Sequence, residues 1–164
     1  MSDYWDDLKK SLKNELEIMN QLKLNLLSQQ GLIINHQAEK LKDYISEQQL
    51  ILEKCNQSEQ YRLKIMKKIE ETGGIPSFLI NVKQLFQYCP KIHLTDLKEW
   101  TRKLKLAAFD VHSVNRQNQM LLNNAIHLID EELSLFTLSK EKNLYHRSGE
   151  IHNTQRRNLL NKRG

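Results

Sequence analysis

Apolar residues recur every three or four positions from the start of the chain. Trp5, Leu8, Leu12, Leu16, Met19, Leu22 and Leu26 fall on one side of a 3.6-residue helix. This spacing predicts an amphipathic helix opening near Asp3. Ser2 or Asp3 can cap it, and Asp6 and Asp7 complement the positive end of its dipole. Gly31 and Asn35 weaken the stripe, so a bend or turn is expected over residues 30–37. A second stripe then runs through Leu41, Tyr44/Ile45, Leu50/Ile51, Cys55, Leu63, Met66 and Ile69, interrupted by the polar patch Asn56–Gln60. Residues 3–71 therefore read as a long helical hairpin. Thr72-Gly73-Gly74-Ile75-Pro76 is the strongest break: the glycines can cap the preceding helix and Pro76 can open the next. A short helix over 76–88 (Phe78, Leu79, Val82, Leu85, Phe86) should stop before Pro90. With Thr95 as N-cap, nothing breaks the following helix until residue 139, a length of about 65 Å.

That last helix has two characters. Positions 97, 101, 104, 108, 111, 115, 118, 122, 125, 129, 132 and 136 alternate in spacing as a heptad seam does. They hold Leu97, Thr101, Leu104, Ala108, Val111, Asn115, Asn118, Leu122, Ala125, Ile129, Glu132 and Phe136. Six amides crowd into VNRQNQMLLNN at residues 114–124, and this seam takes in two of them, Asn115 and Asn118. They are either tolerated interruptions or polar seam residues that fix register at some expense of stability. Further on, Leu121, Leu122, Ala125, Ile126, Leu128, Ile129, Leu133, Leu135 and Phe136 spread well beyond one narrow stripe. Either this segment is sandwiched between two helices of its own domain, or it carries a second apolar face for a partner.

Composition agrees with an all-α chain: 164 residues with only five Gly, two Pro and 7% aromatic residues. The fold class expected is an elongated helical bundle or coiled coil, one domain over 1–139 with a basic, largely disordered tail over 140–164. Charge is uneven. Seven of the 25 basic and two of the 20 acidic residues lie in 140–164, leaving 18 of each before it. The pI of 9.1 thus comes from the tail, whereas a nucleic-acid-binding fold would carry its charge on a folded face. No apolar run approaches the roughly 20 residues needed to cross a bilayer, and MSDYWDDLKK lacks the apolar region of a secretory signal. Cys55 and Cys89 form no CxxC pair, which suits reduced thiols packed as small hydrophobes in a cytoplasmic protein. The six histidines show no metal-ligand spacing, and no phosphate loop or nucleophile motif occurs. No metal, cofactor, small-molecule substrate or enzymatic activity is expected.

A helix carrying Asn115-x-x-Asn118 followed by Leu121-Leu122 leads to Leu144-Tyr145-x-x-x-Gly149 and a basic tail. This arrangement resembles the FlgN family of cytoplasmic export chaperones. The hairpin over 3–71, the connector near Pro90 and the long helix agree with that family's layout. Asn123-Asn124 and His146-Arg147-Ser148 depart from its pattern. The resemblance implies binding of the C-terminal helices of the hook–filament junction proteins FlgK and FlgL and their delivery to the flagellar type III export apparatus. The client-binding residues would be Asn115, Asn118, Leu121, Leu122, Ala125, Ile126, Leu128, Ile129, Leu133 and Phe136. Tyr145 would dock at the export gate or, alternatively, tuck the tail against the bundle. An exposed apolar helix of this kind can also self-associate when no client is present. Two other readings stand beside it: a coiled-coil protein binding nucleic acid or an acidic surface through its basic tail, and a purely structural adaptor.

Overall fold

The structure is a computed structural model that describes the backbone of residues 4–75 and 81–147, and side chains only as far as residue 137. Four helices follow one another: α1 (Tyr4–Ile34), α2 (Ala38–Gly73), α3 (Val82–Leu85) and α4 (Lys91–Arg147). No strand occurs among the described residues, so the architecture is the all-α bundle the pattern predicts. By packing, the chain divides into two units, Met1–Asn123 and Asn124–Gly164.

Asp6 and Asp7 occupy the first turn of α1, while Ser2 and Asp3 lie outside the described residues. Gly31 stays helical, and the turn is confined to Asn35–Gln37. His36 takes a left-handed φ of 55°. The Asn35 amide donates to the Gly31 carbonyl (2.8 Å) and the Gln37 N–H to the Leu32 carbonyl (2.9 Å), which satisfies the frayed end of α1. At the far end of α2, Gly74 adopts φ 60° and Ile75 N–H returns to the Glu70 carbonyl at 3.1 Å. This is the glycine cap expected from the Gly-Gly pair.

The middle segment differs from expectation. Helix α3 has four residues rather than the run 76–88. Asn81 starts it through a reciprocal capping box: its side chain accepts from Gln84 N–H while the Gln84 side chain accepts from Asn81 N–H. Pro76 and Phe78 lie outside the described residues. Helix α4 begins at Lys91, so Thr95 is inside it; the Pro90 carbonyl accepts from His93 and Leu94 instead. Pro90, just ahead of the first turn, lacks an N–H that would have no helical partner there anyway. At the other end α4 continues through Lys140 to Arg147.

Two apolar clusters hold the first unit together. One gathers Leu8 and Leu12 of α1, Ile65, Met66 and Ile69 of α2, then Ile75, Val82, Leu85, Cys89 and Leu97. Leu8, Leu85 and Leu97 are fully buried, each worth about 1.5–3 kcal/mol of burial. The other unites Ile18, Leu22 and Leu26 with Ile51 and Val114. A polar belt separates them: Arg62 meets Glu15 at 2.8 Å, and Asn14 donates to Ser58 at 2.9 Å. The polar patch Asn56–Gln60 does not interrupt α2 packing, because Ser58 is small enough to be buried within it. The stripe runs through Ser58, Arg62 and Ile65, leaving Leu63 exposed. Cys55 is half-buried and Cys89 buried.

Candidate functional site

Helix α4 meets the hairpin along two seven-residue columns. One is the expected Leu97, Leu104, Val111, Asn118. The other is Trp100, Ala107, Val114, Leu121, one residue N-terminal to the expected Thr101, Ala108, Asn115, Leu122. Ala107 and Val114 are buried and Leu121 half-buried, whereas Ala108 is exposed and Leu122 is 38% exposed. The displaced column was legible in the sequence, since Trp-Ala-Val-Leu is wholly apolar and Thr-Ala-Asn-Leu is not. Asn115 therefore sits at the edge of the contact and is half-buried.

Asn118 lies inside it, 4% exposed, and its Nδ2 donates to the Leu26 carbonyl of α1 at 2.8 Å. That carbonyl also accepts within the α1 ladder, so the amide adds a directional tie to an already satisfied group. Lys23–Asp110 (2.7 Å) and Gln30–Gln117 (3.1 Å) join the same helices on either side. A second cluster of buried amides escapes the sequence reading. Asn25 donates to the Tyr44 carbonyl and to Glu47, and Gln29 to Asn25 and Gln48. Spaced four residues apart on α1, they form a polar layer near the hairpin tip.

The described part of α4 in the second unit is mostly exposed. Ile126, Leu128, Ile129, Leu133, Leu135 and Phe136 are each more than half exposed, and Ala125 is half-buried. At 100° per residue these side chains span an arc of about 180°, opposite His127, Asp130, Glu131 and Ser134. Glu132 sits within the apolar arc and is exposed. The alternative of a segment sandwiched within its own domain does not hold for the described residues. Tyr145 lies in the last turns of α4, but its side chain, like Gly149 and the segment 148–164, is outside the described residues. Among the described residues no helix is long and apolar enough to cross a membrane.

The family model described as FlgN protein matches residues 1–153 of this chain. The chain belongs to the FlgN family. No curated protein and no solved structure matches it at a significant level. FlgN is a chaperone family of flagellum biogenesis rather than an enzyme family, and a flagellar chaperone role follows for this FlgN chain.

Proposed function

We propose that this protein is a cytoplasmic chaperone that binds the C-terminal helices of FlgK and FlgL, keeps them from assembling early, and hands them to the flagellar type III export apparatus. The observation that carries the reading is the exposed apolar arc of α4 from Leu122 to Phe136. An amphipathic client helix laid against it would bury side chains at i, i+3, i+4 and i+7 spacing. Leu122, Ile126, Leu128, Ile129, Leu133 and Phe136 are the anchors, with the small Ala125 in their midst. Asn115, Asn118 and Leu121 support the surface by fixing α4 on the hairpin. No bond is made or broken; occlusion alone blocks polymerisation. Because the client must be released, micromolar affinity, about 8 kcal/mol, suffices. Tyr145 is assigned to docking at the export gate on the family pattern.

Co-expression with the C-terminal helices of FlgK and FlgL is the direct test. The complex should co-purify at micromolar concentration, and failure with both clients sinks the proposal. Ile129→Asp, at a position already exposed, should weaken the complex at least tenfold while leaving the helical circular dichroism unchanged. Loss of binding on truncating residues 150–164, with a steep dependence on salt, would point instead to the basic tail as the binding element.

A further inference from the structure

The side of α4 that faces away from the hairpin, between Lys98 and Met120, carries a surface that the chaperone reading does not use. At 100° per residue Lys98, Arg102, Lys105, Leu106, Phe109, Arg116 and Met120 fall within an arc of about 100°. All seven are exposed, Leu106, Phe109 and Met120 by 52%, 69% and 58%. The acidic residues of α4 up to Asn123 are Asp96, Glu99 and Asp110, and each is already paired: with Lys9 at 3.6 Å, Lys103 at 2.7 Å and Lys23 at 2.7 Å. What remains is a cationic face studded with large apolar side chains. The first 139 residues are neutral in sum, yet the fold spends the acids of this helix on internal pairs and leaves the bases outside.

Beside this face lies a recess of about 350 Å³, floored by Val82, Leu104 and Ala108 and rimmed by Lys83 and Lys105.

We propose that this face docks an acidic amphipathic helix of a partner protein, separately from the client surface over Leu122–Phe136. Interleaved cations and apolar side chains complement a helix with glutamates flanking a leucine stripe. A concave recess suits side chains of a peptide better than a flat lipid surface or a phosphate backbone. The test uses a fluorescein-labelled synthetic helix of about 18 residues, with Leu at i, i+3 and i+4 spacing and Glu elsewhere, against the same helix with Lys for Glu. Anisotropy should show the Glu helix binding at least tenfold tighter. Lys105→Glu with Arg116→Glu should weaken it at least tenfold. Phe109→Ser, which leaves the charge intact, should weaken it severalfold and serves alone if the double variant misfolds. Ile129→Asp, and Arg156→Glu with Arg157→Glu in the tail, should leave it unchanged; a tail variant that removes binding overturns the assignment. So does equal binding of the two helices, insensitivity to Phe109→Ser, or tighter binding to phosphatidylserine vesicles or a single-stranded oligonucleotide through the same α4 residues.

Discussion

Asn118 shows how a side chain that is poor for helix formation can be worth keeping. Its amide reaches a carbonyl on a helix 92 positions away in sequence, and an apolar residue there would bury equally well without specifying register. Because the Leu26 carbonyl keeps its helical bond, Asn118→Leu leaves no orphaned acceptor. Its stability by urea unfolding should stay within about 1 kcal/mol of wild type or exceed it, with client binding retained. Loss of client binding in a stable variant would show that the amide contacts the client. Glu15 is a second such residue. Burial pushes its carboxyl up from the ordinary value, although the Arg62 charge and hydrogen bond oppose the shift. A raised folded-state value means that the native state holds the proton more tightly than the unfolded chain. The resulting stability is present below the ordinary carboxylate range, near pH 4.3, and is lost as pH rises through the folded value. Glu15→Gln cannot titrate, so its stability relative to wild type should increase between about pH 4 and pH 7. A pH-independent difference in urea midpoints would contradict this.

Helix ends and interruptions obey local rules that can be tested pairwise. Gly74 sits at φ 60°, where a Cβ is strained although space is open. Gly31 is inside α1, and a Cβ there meets nothing within 4 Å. Gly74→Ala should therefore destabilise by about 1 kcal/mol, and Gly31→Ala should stabilise by about 0.5–1 kcal/mol. Thermal unfolding followed by circular dichroism should show midpoints moving a few degrees in opposite directions. The hairpin and the Gly-Gly cap were legible because both depend on neighbours in sequence. The start of α4 was misplaced at Thr95 because the chain uses Pro90 to open the helix, and either residue satisfies local rules. Helix α3 was overextended because past Leu85 the backbone bonds tighten into i→i+3 turns, Tyr88 N–H to Leu85 and Cys89 N–H to Phe86, which apolar spacing does not distinguish from a helix.

At the scale of the whole molecule, apolar surface left in water sets the behaviour. Without client, the exposed stretch Ile126–Phe136 should drive weak association of the protein with itself. Sedimentation velocity should show a weight-average mass that rises with concentration. Ile129→Asp with Leu133→Asp should abolish the rise, and an unchanged profile would argue that this face is not the sticky one. The sequence by itself determined the helices, the hairpin, the glycine break and the excess of apolar positions near the end of α4, because periodicity and turn chemistry are properties of adjacent residues. Only the tertiary structure decided that Asn25 and Gln29 are buried, that Asn118 bonds the Leu26 carbonyl, and that Asp96 and Asp110 of α4 pair with lysines of α1. Those outcomes depend on which helix supplies each residue's partner, such as the Leu26 carbonyl or Lys23, and a linear pattern carries no record of distances between helices.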